Sequence, residues 1–463
     1  CISGLTDPTK RIRKRSMRIV IIGAGNAGKS LAARLCAAGQ DVVVIDKSRR
    51  ALDELALIHD VMTIEGSGAD PDVLATDGIG KFDLLAAVTP HDEINLLSCC
   101  WAKSAGARYT VARFSSNKYT RSPLVDTGAL GVDRPLVHKE ECAREILDVL
   151  HRPGTLEVAS LLEDKIAAIG LRLPEDAPLA GKRLKEFRTD QWFDKVRFIG
   201  LVKKGKLSIP DGNSIIDPGD DVYLVLQTEH VDRFLDWIMV GQRKNFKKVV
   251  LAGGGELGLA LAGLLENTSM ETVLIDRDRG RAEHASEQLE KCLVLNADAA
   301  EASTLKEAGI DSRTAFVGIT GDDEMNIVCC IQAKQLGAGF TIARIDKSQY
   351  APIIGNLNLV DKVISPNTSL TKAILKYVRG GIVEHVGLFH RITGEVQEVV
   401  VKAGSRSDQI AVSELKLPRG AIVAAVQRGR RAFVPTGEFT LQQGDHLAVY
   451  CLSEIAEKIK SAF

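Results

Sequence analysis

The same pattern of strand, glycine-rich turn, helix and strand occurs twice in this chain of 463 residues. The first copy runs from Arg18 to Asp46, RIVIIGAGNAGKSLAARLCAAGQDVVVID, and the second from Lys248 to Asp276, KVVLAGGGELGLALAGLLENTSMETVLID. Uninterrupted apolar runs are typical of parallel strands buried on both faces, and the Ala/Leu-rich run between them is typical of a crossover helix. The pattern predicts an α/β fold with two Rossmann-like lobes, each built on a doubly wound parallel sheet.

Each glycine of the first turn has a structural task. Gly23 allows a sharp turn after the strand, Gly25 lets a pyrophosphate approach the backbone, and Gly28 lets the helix pack closely on the strand. Asp46 ends the second strand 18 residues after Gly28, where a carboxylate accepts hydrogen bonds from ribose hydroxyls. The turn therefore predicts a nucleotide site, with a tight turn that binds nothing as the alternative.

Further candidate ligands follow the carboxyl ends of the other strands, the edge at which doubly wound sheets bind ligands. Thr89 and Arg113 stand there in the first copy and recur 231 residues later as Thr320 and Arg344. Either arginine could instead pair with an aspartate in the crevice. The predicted nucleotide-binding residues are Gly23, Ala24, Gly25, Asn26, Ala27, Gly28, Asp46, Lys47, Ser67, Gly68, Thr89 and Arg113 in the first lobe, and Gly253, Gly255, Glu256, Leu257, Gly258, Asp276, Arg277, Asp298, Thr320 and Arg344 in the second.

The two turns differ where phosphates would lie. Asn26 can donate a hydrogen bond to a phosphate, and Lys29 adds a positive charge in the first helical turn. Glu256 places a carboxylate at the other helix N-terminus, where it can satisfy free N–H groups while the site is empty. We therefore expect the first site to bind polyphosphates better. If Glu256 simply turns to solvent, the sites are equal.

Two basic residues next to the ribose acids bear on cofactor choice. Lys47 and Arg277 could argue for a 2′-phosphate. Asp46 and Asp276 argue the other way by charge repulsion, so NAD is preferred over NADP.

Composition excludes several classes of protein. Sixty basic and sixty acidic residues balance, so a nucleic-acid partner is not predicted. The nine cysteines show no metal-ligand spacing, which predicts no metal site and favours core thiols in a reducing compartment. Without an apolar run of about 20 residues, the chain is expected to be soluble and cytoplasmic. Residues 1–16 carry five basic side chains and are expected to be a disordered tail or a cloning remnant, with a basic contact arm as the alternative.

Each nucleotide lobe precedes a smaller, turn-rich module. The segment IPDGNSIIDPGDDVYLV in the first module is echoed by VPTGEFTLQQGDHLAVY in the second. The helical runs EECAREILDVL and SLTKAILKYV are expected to close the first and the second lobe, respectively. The predicted boundaries are 1–16 for the tail, 17–154 and 245–381 for the Rossmann-like lobes, and 155–241 and 382–463 for the small modules.

This four-part order resembles the RCK family, the regulators of potassium conductance, and within it the double-repeat regulatory subunits of Trk-type bacterial potassium uptake systems. The resemblance covers nearly all of 17–463 and rests on RIVIIGAGNAG, Asp46, AVTPHDEINLLS, VARF, the paired small-module segments and the duplication. It implies Rossmann-like lobes paired with small mixed βα lobes, and binding of NAD or NADH and often ATP or ADP. Where the family often has Gly-Asp-Ala after the third strand, the first copy has Gly66-Ser67-Gly68, so an acidic contact to adenosine is implied for Asp298 alone.

The resemblance also implies partners and a location. It implies attachment to an integral-membrane potassium channel of the Trk type, and hence a peripheral position at the inner face of the plasma membrane. Four chains with two lobe pairs each would form an eight-lobe ring, so a homotetramer is expected.

An NAD-dependent oxidoreductase is the alternative class. Such an enzyme needs a proton donor or acceptor beside the substrate, commonly His, Lys or Tyr. No tyrosine is followed by a lysine four residues later, and His91, the one histidine near the first crevice, is replaced by Asp322 in the second copy. The small modules are also too short for an ordinary substrate domain, so a ligand-sensing regulator without catalytic residues is predicted.

Overall fold

The structure is a computed structural model of the chain and describes residues 17–37, 39–76, 81–240, 246–347, 359–379 and 394–452, together with residues 350, 354, 357, 392, 455 and 459. The predicted tail, 1–16, and the predicted start of the last module at residue 382 lie outside these residues.

The first lobe contains a six-stranded parallel sheet in the order β3-β2-β1-β4-β5-β6. Its strands are β1 Arg18–Ile22, β2 Asp41–Asp46, β3 Met62–Glu65, β4 Leu84–Ala87, β5 Tyr109–Phe114 and β6 Arg134–Val137. Its helices are α1 Asn26–Ala37, α2 Arg49–Ala56, α3 Pro71–Leu74, α4 Asp92–Ser104 and α5 His138–His151. Val20 of β1 pairs with Val43 of β2 on one side and Leu85 of β4 on the other, and all three are buried. The strand order reverses between β1 and β4, which is where such sheets bind ligands.

The first small module is antiparallel. Its main sheet has the order β11-β10-β13-β8-β7, and β12 pairs with β9. The strands are β7 Thr155–Leu161, β8 Ile166–Arg172, β9 Lys182–Arg183, β10 Val196–Lys203, β11 Lys206–Ser208, β12 Ile215–Ile216 and β13 Asp221–Gln227. The helices are α6 Val231–Ile238 and the 3-10 turns Leu184–Thr189 and Thr228–His230.

The second lobe repeats the first, with sheet order β16-β15-β14-β17-β18-β19. Its strands are β14 Lys248–Ala252, β15 Glu271–Asp276, β16 Cys292–Asn296, β17 Thr314–Gly318, β18 Phe340–Arg344 and β19 Lys362–Ile364. Its helices are α7 Glu256–Leu265, α8 Arg279–Gln288, α9 Ala302–Glu307, α10 Asp323–Gln335 and α11 Pro366–Arg379. The predicted fold class, with two doubly wound parallel sheets, is confirmed.

The described residues of the second small module form a four-stranded antiparallel sheet in the order β20-β23-β21-β22. Its strands are β20 Glu395–Val400, β21 Ala421–Arg428, β22 Arg431–Phe433 and β23 His446–Cys451, with a 3-10 turn at Val412–Glu414. It shares one hydrophobic cluster with the first small module, in which Tyr223 and Tyr450 are fully buried. The two small modules therefore pack against each other.

The helices that end the two Rossmann-like lobes are exchanged. Cys142 and Ile146 of α5 lie in the core of the second lobe, with Leu261 of α7. Leu370 and Ile374 of α11 lie in the core of the first lobe. The prediction that each helix closes its own lobe was wrong, because the apolar face of each helix is buried on the opposite repeat. Local sequence shows that such a face must be buried, but not against which lobe.

Candidate nucleotide-binding sites

The first glycine turn has the geometry that its sequence predicts. Gly23 has a φ of 109°, a left-handed conformation that favours glycine. A Cβ on Gly28 would lie 1.8 Å from the carbonyl oxygen of Gly23, so helix α1 can start this close to the strand only without a side chain. A Cβ on Gly25 would meet nothing within 4 Å. The backbone at Gly25 therefore faces open space, where a phosphate could approach it.

The strand-end acid holds this turn in place. One oxygen of Asp46, Oδ2, accepts a hydrogen bond from the Ala24 N–H at 2.6 Å, and Oδ1 accepts one from the Ser48 N–H at 2.8 Å. A carboxylate has about four acceptor positions, so further positions are left for ribose hydroxyls. Asp46 thus connects the turn after β1 to the end of β2, at the predicted ribose position.

The second site repeats this arrangement. Oδ2 of Asp276 accepts from the Gly254 N–H at 2.6 Å, and Oδ1 accepts from the Asp278 N–H at 2.8 Å. Gly253 has a φ of 124°, and a Cβ on Gly258 would lie 1.9 Å from the Gly253 oxygen. Asp276 is more buried than Asp46, with 7% of its surface exposed.

A buried asparagine that sequence reasoning missed joins the ends of β4 and β5. Oδ1 of Asn95 accepts hydrogen bonds from the Thr89 N–H at 3.0 Å and from its hydroxyl at 2.7 Å. Its Nδ2 donates to the carbonyl oxygens of Thr89 at 2.9 Å and Arg113 at 2.8 Å. Asn95 therefore fixes two predicted site residues relative to each other.

Asn326 does the same in the second lobe, with bonds to Thr320 and to the carbonyl oxygen of Arg344. It follows Asn95 by the same 231 residues that separate the threonines. This repetition was a signal in the sequence that could have identified both asparagines.

The guanidinium groups of the two crevice arginines, Arg113 and Arg344, have different surroundings. Burial lowers the pKa of Arg113, although the negative charges of Asp92 and Asp346 act to raise it. Its guanidinium makes no hydrogen bond to the residues that the structure describes. Arg344 donates to the Thr320 carbonyl oxygen at 2.8 Å and is ion-paired with Asp346. The alternative that a crevice arginine pairs with an aspartate therefore holds for Arg344. The position equivalent to Asp346 in the first lobe is Ser115, so the first lobe has no acid at that position to form the same ion pair with Arg113.

Lys29 and Glu256 have ion-pair partners that were not predicted, and the prediction that Glu256 satisfies the N-terminus of its own helix was wrong. The ammonium of Lys29 donates to Glu54 Oε2 of α2 at 2.7 Å, so its charge is already paired. Among the described residues, the carboxylate of Glu256 bonds to Lys139 of α5 and not to the N-terminus of its own helix. The helix exchange brings Lys139 to this place, and a prediction based on separate lobes could not foresee it.

The remaining predicted residues divide by exposure. Ala24, Ala27 and Leu257 have buried side chains in the lobe cores, so they can offer a ligand only their backbone. Lys47 and Arg277 are exposed beside the acids. The other three follow β3 and β16: Ser67 Oγ accepts from the Ala69 N–H, Gly68 packs against Ile22, and Asp298 Oδ1 accepts from the Ala300 N–H at 2.8 Å.

His138 begins the exchanged helix α5 between the two sites. Its Nδ1 lies 3.1 Å from the carbonyl oxygen of Phe114, which can only accept, so Nδ1 carries the proton. Burial and the positive charges of Arg113 and Lys139 lower the pKa of His138 to about 4, although the negative charge of Glu256 acts to raise it. The imidazole is therefore neutral at physiological pH.

Comparison with known proteins assigns the chain to a family. The profile of the TrkA-N domain matches residues 19–134 and 249–366, and that of the TrkA-C domain matches residues 169–239 and 396–463. The Trk system potassium uptake protein TrkA of Haemophilus influenzae is 30% identical over 440 residues, which cover 94% of this chain and 95% of that protein. The chain belongs to the TrkA family. The TrkA homolog 1 of Methanosarcina mazei is 29% identical over 461 residues, covering 96% of this chain and all (100%) of that protein.

Solved structures share the fold of this TrkA-family chain. The GsuK RCK domain superposes with a TM-score of 0.57 at 20% identity, covering 99% of this chain and 96% of that one. The GsuK channel bound to NAD gives 0.58 at 20% identity, covering 99% and 80%. The resemblance to RCK proteins is confirmed, and membership of the TrkA family groups the chain with potassium-uptake proteins rather than with dehydrogenases.

The described part of this TrkA-family chain offers neither a metal cluster nor a membrane-spanning helix. It contains no group of three or more His, Cys, Asp or Glu side chains placed to hold a metal ion. None of its helices is both long and apolar enough to cross a lipid bilayer.

Proposed function

We propose that this protein is a cytoplasmic regulatory subunit that binds NAD or NADH, and ATP or ADP, and controls a Trk-type potassium channel in the membrane. The observation that carries the proposal is the open turn at Gly25, held by the hydrogen bond from the Ala24 N–H to Asp46. This turn offers backbone N–H groups at a helix N-terminus to phosphates, and a carboxylate to a ribose. The GsuK channel bound to NAD shows that a protein of this fold takes such a ligand.

The same proposal assigns partners and location. The curated relatives are named for potassium uptake, which supports a potassium channel or transporter as the membrane partner. Four chains, each with two lobe pairs, would form a homotetrameric ring of eight lobes on the cytoplasmic side of that channel.

The exchanged helices supply a route for regulation. Helix α5 starts at the edge of the first crevice and packs on α7, the helix that follows the second glycine turn. Helix α11 lies in the same core as α1, the helix that follows the first glycine turn, so a nucleotide at either site lies near a helix that belongs to the other repeat. Such a ligand shifts the arrangement of the lobes only by its difference in affinity between two arrangements.

Binding and partnership are tested separately. In calorimetric titrations, NADH and ADP should bind the purified protein, and the Asp46→Ala/Asp276→Ala double variant should lose this binding; no heat of binding at millimolar ligand would contradict the proposal. A tagged chain expressed in its own host should recover a multi-spanning potassium transporter from solubilised membranes. Repeated recovery of the chain without a cation transporter would argue against the proposed partner.

A further inference from the structure

The helix exchange places a lysine of the first lobe at the glycine turn of the second. Lys139 is the second residue of α5, and Glu256 is the first residue of α7. Their side chains form an ion pair, so the first turns of the two helices meet. Glu256 is also the fourth residue of the turn from Gly253 to Gly258, where a phosphate would bind.

We propose that Lys139 is a phosphate ligand of the second nucleotide site, and that a bound phosphate takes its ammonium group away from Glu256. This inference rests on the proposed function, because it requires a nucleotide at the turn from Gly253 to Gly258. It adds a residue from the opposite lobe to a site that otherwise belongs to the second lobe alone.

The local space and charge suit this exchange of partners. A Cβ on Gly255 would meet nothing within 4 Å, so the backbone beside Glu256 is open. The side chains of Lys139 and Glu256 are 35% and 57% exposed, so neither is fixed by packing. A phosphate at the helix N-terminus repels the carboxylate and attracts the ammonium, and the flexible lysine stem allows the ammonium to follow the stronger negative charge.

The first site does not contain this pair. The position equivalent to Glu256 is Asn26, and the second residue of α11, which corresponds to Lys139, is Asn367. Both residues are uncharged. A phosphate at the first turn therefore meets no ion pair of this kind between the lobes, whereas a phosphate at the second turn changes such a contact.

The chain provides a matched control. Lys372 of α11 also forms an ion pair across the lobes, with Glu145 of α5, and its side chain is also 35% exposed. Substitution of Lys372 by methionine removes an inter-lobe ion pair of the same kind without touching the glycine turn. The comparison separates a direct contact with phosphate from a general loosening of the lobes.

The test is calorimetric titration of ADP into the full chain carrying Asp46→Ala, which weakens the first site, at two salt concentrations. In this background Lys139→Met should weaken ADP binding about ten-fold and reduce its salt dependence, because a charge-assisted contact is lost. Lys139→Arg should retain most of the affinity, Glu256→Gln should increase it several-fold, and Lys372→Met should change it less than about two-fold.

Three results would overturn the inference. They are unchanged ADP binding in Lys139→Met, equal losses in Lys139→Met and Lys372→Met, and weaker binding in Glu256→Gln. A wild-type chain that binds no nucleotide would contradict the proposed function as well as this inference, so the two failures can be told apart.

Discussion

Glu145 in the helix that ends the first lobe accepts a hydrogen bond from Ser369 in the helix that ends the second, with Oε2 and Oγ 2.5 Å apart. The bond lies where the two exchanged helices pack on each other. Each nucleotide lobe is thus completed by a helix of the other repeat, and the two lobes cannot be treated as independent units.

The helix exchange predicts that a mutation in one repeat destabilises the other. Ile146→Ala removes a fully buried side chain of α5 from the core of the second lobe and should cost about 3 kcal/mol of unfolding free energy. Hydrogen exchange should then increase mainly in residues 249–344, and Ile374→Ala in α11 should produce the opposite pattern. Faster hydrogen exchange confined to residues 18–114 in Ile146→Ala would contradict the packing of α5 on the second lobe.

Two glycines of the first turn should separate stability from binding. Gly28→Ala should cost about 2 kcal/mol or more, because its Cβ would lie 1.8 Å from the Gly23 oxygen. Gly25→Ala has open space, so the unfolding free energy should change by less than about 0.5 kcal/mol. NADH affinity should nevertheless fall about ten-fold in Gly25→Ala, because the methyl group occupies the approach of the pyrophosphate. Normal NADH affinity in a folded Gly25→Ala protein would show that the ligand binds elsewhere.

Asn95 should be important for stability although it carries no charge. Asn95→Ala removes four hydrogen bonds in a fully buried position and should cost about 3 kcal/mol in denaturant unfolding. The matched control is Asn117→Ala, an exposed position in the same lobe, which should change the unfolding free energy by less than about 0.5 kcal/mol. Similar values for both variants would refute the role assigned to Asn95.

The first site should be the better one for polyphosphates. The guanidinium of Arg113 has no hydrogen-bond partner among the described residues, and Asn26 is uncharged, whereas Arg344 is ion-paired with Asp346 and the second turn carries Glu256. Asp46→Ala should therefore remove the tighter of two ATP isotherms. If Asp276→Ala removes it and Asp46→Ala does not, the ranking is wrong; thermal unfolding of both variants controls for misfolding.

His138 should make stability depend on pH. Its pKa in the fold is about 4, below the ordinary value of 6.5, so between these values the unfolded chain binds a proton that the folded chain does not. The contribution of neutral His138 to the free energy of unfolding is present above pH 6.5, and up to about 3 kcal/mol of it is lost as the pH falls towards 4. The unfolding free energy of His138→Gln should decrease less over this range than that of the wild type. Parallel pH profiles would contradict a buried neutral imidazole.

The sequence was sufficient to predict the repeated features, but not the contacts between side chains that lie far apart in the chain. The glycine turns, Asp46 and Asp276 follow from local spacing, because a doubly wound sheet needs those residue types at those positions. The pairing of Lys29 with Glu54, and of Glu256 with Lys139, depends on tertiary neighbours that periodicity does not specify. The lobe on which α5 and α11 each pack could not be predicted for the same reason, since an apolar helix face packs equally well on either of two similar lobes.

The most direct test of the account is rubidium uptake into vesicles that contain the Trk-type channel of the same organism and the purified chain. Uptake should change several-fold when NADH, ADP or ATP is added with the wild-type chain, and should not respond with the Asp46→Ala/Asp276→Ala variant. Uptake that is the same with and without nucleotide, while the wild-type chain is bound to the channel, would contradict the claim that this protein controls potassium transport through its nucleotide sites.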